Sequence, residues 1–409
     1  MTAADPFASW DPAAPEFQAN PHPTWSRLRA EQPIYPRLMP DGRRTWIVTR
    51  HRDCVTVLRD PDCSAQKFPT HMLHQLAADP AAPFAVIART VLAMMLVKDD
   101  PDHGRLRGLV NKAFTPRVVS ELRPRVQAIT DELLDAAAKR GELDAIADFG
   151  MPLPIIVIAE LLGVPLEERA NLKRWSDKLV TFLDGTIRDK GLAEAAKACV
   201  EMRAYMDRVF AERRAAPRDD LISRLIAARE IEDRLSDDEL FGTVVLILAA
   251  GHETTTNLIG NGLYTLLRHP AELARLHARP DMIGSAVEEL LRFEGPVALT
   301  SRNPNREYEL DGRTIAKDDE LSVVLAAANR DPAVFADPDR LDLSRGENRH
   351  LSFGFGAHFC LGAALARLEG QIALGSIVAR FPAMKLVGDT VAWKPGIVLR
   401  GLVELPIRV

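Results

Sequence analysis

The sequence predicts a mainly α protein with small β-sheets (α+β), organised as a single large helix-rich domain over residues 1–409. Three observations predict it. A capped helix that begins at Ser236 can run without a proline to His269. Strand-like composition is confined to regions near 33–50, 297–325 and 385–409, while helical patterns fill 101–293 and 361–380. A glycine-punctuated stretch, FGFGAHFCLG at 353–362, stands directly before an Ala- and Leu-rich helix without proline.

Composition narrows the class. Hydrophobic residues make up 47% and charged residues 27%, the balance of a protein with a large core. A net charge of −5, from 52 basic and 57 acidic residues, argues against nucleic acid as a partner. Cys54, Cys63, Cys199 and Cys360 form no CxxC pair, so neither a zinc site nor a disulfide framework is indicated. The opening MTAADPFASWDPAAPEF lacks the basic and apolar regions of a signal peptide. The apolar run Val244–Ala250 falls far short of a bilayer span. A cytoplasmic protein without a membrane segment is expected, with monomer as the default state.

Along the chain, residues to about Pro40 read as a lead-in with a short helix over Thr24–Glu31. Arg44–Thr49 has strand composition, and a helix starts at Asp53. Pro61–Asp100, with scattered prolines and two apolar patches, reads as a long irregular loop forming a pocket wall or lid. His103, Arg107 and Lys112 fall on a short helix, the first two on one face. They are either a solvated basic face or donors for an anionic ligand group. Amphipathic helices are expected over Val118–Arg140 and Pro152–Arg174. Trp175–Arg214 reads as a helical pair broken at Asp184-Gly185 and again at Gly191, suited to a mobile cover or to a plain hairpin. Ser236 and Glu239 form a capping box, and the helix they start is roughly 50 Å long. Further helices follow at Glu272–Arg279 and Asp281–Phe293, then a hairpin around Asp311-Gly312. Lys385–Val409 alternates like strand around Gly396 and Gly401.

Two stretches carry chemistry. Gly354 and Gly356 permit a tight loop, after which Cys360 sits where loop N–H groups and the helix dipole favour a thiolate. A lone cysteine is usually a small buried hydrophobe. The glycines, Phe353, Phe359 and His358 argue otherwise, describing an apolar pocket with one soft anionic ligand, which suits a haem iron. The second stretch, Gly251–Thr256, interrupts the long helix with polar residues at its most apolar point. Thr254 can compete for the Ala250 carbonyl and open a bulge, and Glu253 beside it is a proton source. The alternative is a satisfied polar patch at a helix contact. Glu289 and Arg292 are either a surface pair or a buried one that shares Arg340 as a third partner.

FGFGAHFCLG at 353–362, AGHETT at 250–255, EELLR with Glu289 and Arg292, and DHGRLR at 102–107 together resemble the cytochrome P-450 family of haem-thiolate monooxygenases, in its soluble bacterial form. The four motifs occur in that family's order. The resemblance implies haem b (iron protoporphyrin IX) with Cys360 as the axial metal ligand, Phe353 beside its sulfur, and loop N–H groups up to Gly362 tuning it. It implies propionate contacts from His103, Arg107, Arg302 and His358, and a catalytic acid–alcohol pair in Glu253 and Thr254. It implies a structural triad of Glu289, Arg292 and Arg340, although PDRL departs from the commoner form by placing Leu341 where an aromatic is usual. His252 is assigned no role. The implied reaction is oxidation, typically hydroxylation, of a hydrophobic small molecule by O2 and two electrons from a ferredoxin or flavodoxin with its reductase. A peroxide-driven peroxygenase and a non-catalytic haem sensor are the alternatives. Arg105, Lys112, Arg117, Arg345, Arg349 and Arg367 are candidates for docking the electron donor. Pocket walls are expected from Leu246, Ala249, Ala250, Ala298, Leu299 and Ile397, with the Pro61–Asp100 loop and the Trp175–Arg214 hairpin.

Overall fold

The computed structural model describes residues 7, 10–39, 42–66, 70–79, 84–183, 189–228, 234–388 and 390–409. Its axis is the central helix Asp237–Arg268, begun by the expected capping box. The Ser236 hydroxyl accepts from the Glu239 N–H at 3.2 Å, and the Glu239 carboxylate accepts from the Ser236 N–H at 2.9 Å. Two of the four orphan donors at the helix start are thereby satisfied. Pro270 lacks the N–H that would continue the helix. Val244, Val245, Leu248, Leu258, Ile259 and Leu263 are buried on several sides of the helix, so neighbours surround it. Those neighbours are the helices Pro152–Leu162, Arg169–Leu183, Ile283–Glu294 and Ala363–Arg380.

The sheets lie where strand composition predicts, with two additions. Ile34–Leu38 pairs antiparallel with Arg44–Val48, which runs parallel to Glu320–Val323. Glu320–Val323 pairs antiparallel with Thr300–Pro304, and that strand with Cys63–Ser64. A second sheet joins Glu142–Asp144, Pro406–Arg408 and Lys385–Leu386, and the hairpin Tyr308–Leu310/Arg313–Ile315 turns at Asp311-Gly312 as expected. Cys63–Ser64 and Glu142–Asp144 are too short to show alternation.

Several boundaries differ from the sequence reading. Among the described residues of Pro61–Asp100 most are helical, in helices Thr70–Ala78 and Ala85–Leu92 and a short turn Met95–Val97. Its apolar patches are inward faces: Ile87, Ala88, Val91 and Met94 are buried in the core. The helix expected over Pro152–Arg174 is split, because Gly163 takes a left-handed φ of 71° and Pro165 follows. Leu122 divides the segment before it, where Pro124 opens the helix Arg123–Arg140. Helix Asp189–Ala215 runs through Gly191 without a break, and the break expected at Asp184-Gly185 lies outside the described residues. Ala145–Leu162 is long and apolar enough to cross a membrane, a feature the run at Val244–Ala250 does not reveal; most of it is buried inside the fold.

Candidate active site

The loop before helix Ala363–Arg380 is built from local bonds. Gly354 and Gly356 have φ of 70° and 74°, and a Cβ on Gly356 would drive into the Leu58 carbonyl. The Cys360 N–H donates to the Phe353 carbonyl at 2.8 Å, closing the loop. Phe353 is buried under the Arg367 guanidinium, 4.4 Å from its ring centre. Arg367 is held in turn by both oxygens of Glu288 at 2.7 and 2.8 Å. Cys360 is the exposed one of the four cysteines; Cys54, Cys63 and Cys199 are buried. Enclosure by surrounding protein nevertheless pushes its thiol pKa up, only partly offset by the Gly362 N–H and the charges of Arg107 and Arg367. Accessible surface decides whether a ligand can reach the sulfur, whereas the low-polarity surroundings decide its charge. The chain's own groups raise rather than lower the thiol pKa, and a bound cation would favour the thiolate.

A cluster of two histidines and two arginines adjoins the loop. The rings of His103 and His358 lie 4.0 Å apart, tilted by 34°. Arg107, on the helix of His103, donates to the Phe359 carbonyl at 2.7 Å and so reaches the cysteine loop. Arg302, on strand Thr300–Pro304, is buried and donates to the Ser301 carbonyl at 2.7 Å. Burial first, then Arg302, His103 and Arg107, push the His358 pKa down to about 3. Burial and Arg107 likewise lower His103. His103 is 3% exposed, and its Nε2 has no hydrogen-bond partner among the described residues. Four groups capable of positive charge thus converge, and one buried nitrogen is unsatisfied. An anionic ligand group would relieve both.

On the central helix the Thr254 hydroxyl donates to the Ala250 carbonyl at 2.5 Å, as the sequence suggests, yet the helix stays α-helical without a bulge. Glu253 faces elsewhere. The Lys394 ammonium donates to its Oε1 at 2.6 Å, and the Asn257 amide to the same oxygen at 3.4 Å. Burial opposes the charge, but Lys394 outweighs it and holds the Glu253 pKa below the ordinary carboxylate value. In this arrangement the carboxylate is held in its charged form by that ion pair. Glu253, His252, Thr256 and Asn257 line a cavity of 410 Å³ together with Asp177 and Lys394. Ala250 and Thr254, four apart, share another face; His252 and Thr256 are each turned about 200° from them.

None of the six expected pocket residues lines that cavity. Ala249, Ala298 and Leu299 are buried, Leu246 is half-buried, and Ala250 and Ile397 are exposed. The 410 Å³ space beside the acid mixes its polar groups with apolar walls, Ile146, Met151, Val180 and Leu399 among them.

The triad needs one replacement. Glu289 and Arg292 are fully buried and joined by two bonds of 2.7 Å. The third side chain on Glu289 is Arg345, at 3.0 Å and 10% exposed, not Arg340. Arg340 turns outward to Asp342 and offers Arg292 only its backbone carbonyl, at 3.3 Å. Arg345 consequently leaves the set of docking candidates. Arg105, Arg117, Arg349 and Arg367 each pair with a carboxylate of their own chain. Lys394, Arg345 and Asp177 escape sequence reasoning, since no local pattern marks their partners.

The family described as Cytochrome P450 has a model that matches residues 170–391. The chain is 41% identical over 413 residues to cytochrome P450 monooxygenase PikC of Streptomyces venezuelae, covering 100% of this chain and 95% of that protein. It is 40% identical over 395 residues to vitamin D(3) 25-hydroxylase of Pseudonocardia autotrophica, covering 96% and 94%. Among solved structures, P450BioI in complex with hexadec-9Z-enoic acid ligated acyl carrier protein superposes with a TM-score of 0.90. Its identity is 36%, over 97% of this chain and 100% of that one.

Proposed function

This chain belongs to the cytochrome P450 family, a haem-thiolate monooxygenase that oxidises hydrophobic small molecules with O2 and two externally supplied electrons, and on that premise we propose how its own residues serve the reaction. The observation that carries the reading is the meeting of one exposed cysteine, Cys360, with the cluster His103, Arg107, Arg302 and His358. These residues fit haem b. Cys360 would ligate the iron, with Phe353 packed beside the sulfur and the Gly362 N–H directed at it. The unsatisfied His103 Nε2, the Arg107 and Arg302 guanidinium groups and the His358 ring would receive the two carboxylates of the porphyrin edge. When bound, the haem supplies the activation of dioxygen, with the thiolate pushing electron density toward the iron.

The chain's own contribution on the opposite face is proton handling. Thr254 spends its hydroxyl hydrogen on Ala250, so its lone pairs remain to accept from a water or a substrate group. Glu253 carries the charge that draws protons inward, and Lys394 sets when that charge is free. Residues 1–409 would act as one cytoplasmic, monomeric domain. The family requires a redox partner, and a ferredoxin or flavodoxin with its reductase is the class we favour, docking near Arg105, Lys112, Arg117, Arg349 and Arg367. Purified protein supplied with a surrogate ferredoxin, its reductase and NADPH is expected to form an oxygenated product from a spin-shifting hydrophobic compound. Cys360→Ala is expected to lose the thiolate-type spectrum of the reduced carbon monoxide complex; its retention would overturn the ligand assignment.

A further inference from the structure

The cavity beside Glu253 holds a set of groups that proton delivery does not account for. The Asp177 and Glu253 carboxylates and the His252 imidazole bring one ligand atom each to within 4.8 Å of one another. All three line the 410 Å³ cavity. His252 is 1% exposed, and its Nε2 has no hydrogen-bond partner among the described residues. Its Nδ1 lies 3.4 Å from the Ser176 hydroxyl, a group that can accept from Nδ1–H and so allows the tautomer a ligating imidazole needs. In the tautomer with the proton on Nδ1, Nε2 presents its lone pair. Both bonds to Glu253 fall on Oε1, leaving Oε2 for another partner.

We propose that Asp177, His252 and Glu253 bind a divalent transition-metal ion, with Zn²⁺ as the probe, and that the ion ties helix Arg169–Leu183 to the central helix. One nitrogen and two carboxylates suit zinc and its neighbours, whereas Mg²⁺ and Ca²⁺ prefer oxygen-only shells. Tetrahedral ligands at about 2.0–2.2 Å from zinc stand about 3.3–3.6 Å apart, so each side chain needs to move by about an ångström. Two ammonium groups compete for the acids: Lys173 on Asp177 at 2.5 Å and Lys394 on Glu253 at 2.6 Å. Their side chains are 38% and 35% exposed, so both can swing to solvent when the ion enters. The fourth position is left to water. An ion on Glu253 also withdraws that carboxylate from proton delivery; this consequence rests on the role proposed above, while the binding itself does not.

The test is calorimetric titration of the haem-loaded protein with zinc chloride, with the ion located by anomalous diffraction at the zinc edge. One ion is expected between Asp177, His252 and Glu253. His252→Ala and Asp177→Asn are each expected to weaken binding about tenfold or more. Lys394→Gln is expected to tighten it, because a competing cation is gone. An unchanged haem spectrum in the variants certifies the fold, and Asp177→Asn, near the surface, stands in if His252→Ala fails to fold. Titrations unaltered by the ligand substitutions, weaker binding in Lys394→Gln, or an anomalous peak only elsewhere would overturn the site. Zinc binding without inhibition upholds the site and overturns the proton role of Glu253.

Discussion

Lys394 and Glu253 are joined at 2.6 Å across 141 residues of sequence, so the acid beside Thr254 is held by a cation from the chain's tail. Burial alone would push that carboxyl toward its neutral form, and the ammonium reverses the sign. The pair therefore adds stability at pH values above the ordinary carboxylate pKa of 4.5, and that stability fades as pH falls through the lower folded value.

Lys394→Gln isolates this effect. With the ammonium gone, burial dominates and the Glu253 pKa rises. The pH dependence of coupled product formation, measured as product per NADPH consumed, is expected to move upward. An unchanged profile would remove Lys394 from control of the acid.

Arg345→Ala and Arg340→Ala separate the two candidates for the triad. Arg345 bonds Glu289 at 3.0 Å inside the fold, and removing it leaves part of a buried carboxylate uncompensated. The expected loss is roughly 3–5 kcal/mol. Arg340 is 63% exposed and pairs with Asp342 near the surface, so its loss costs at most about 1 kcal/mol. Denaturant midpoints of the haem-loaded variants measure the difference, and equal losses would return Arg340 to the triad.

The contrast between those arginines explains what sequence could disclose. The capping box of Ser236 and Glu239, the Asp311-Gly312 turn and the Gly354–Gly356 loop are local, each written within a few residues. The Glu289–Arg292 pair is legible for the same reason, lying three apart on one helix. Arg345 is 56 residues from Glu289, and its approach depends on how the turn-rich segment before it is routed. Motif matching favoured Arg340 because it follows Pro338-Asp339, but the backbone there sends the side chain outward and the carbonyl inward. The helices between Pro61 and Asp100 were hidden by flanking prolines, although Ile87, Ala88 and Val91 have the spacing of one buried face.

His103→Ala with Arg107→Ala tests the propionate cradle. His103 offers an unsatisfied buried nitrogen, and Arg107 braces the loop through the Phe359 carbonyl. Each charge-assisted hydrogen bond to a carboxylate is worth roughly 1.5–3 kcal/mol. The double variant is expected to release haem to an excess of scavenger protein at least about tenfold faster. Release at the original rate would argue that neither residue reaches the porphyrin edge.

Glu288 makes the cysteine loop sensitive to acid. Burial opposes its charge, but Arg367 and His350 outweigh burial and bring its pKa from 4.5 to about 2. Its folded pKa is depressed, so its contribution is complete above about pH 4.5 and is lost as pH falls toward about 2. The shift corresponds to at most about 3 kcal/mol, less whatever solvent screening removes at a site where Arg367 is 33% exposed. Arg367 covers Phe353, so protonating Glu288 loosens the packing beside Cys360. Urea unfolding of the parent protein and Glu288→Gln at about pH 5 and about pH 3 measures this. The parent is expected to lose more stability across that interval than the variant, with the loss tracked by dissociation of the haem. Equal losses would assign the acid sensitivity to another carboxylate and leave the Arg367–Phe353 stack independent of Glu288.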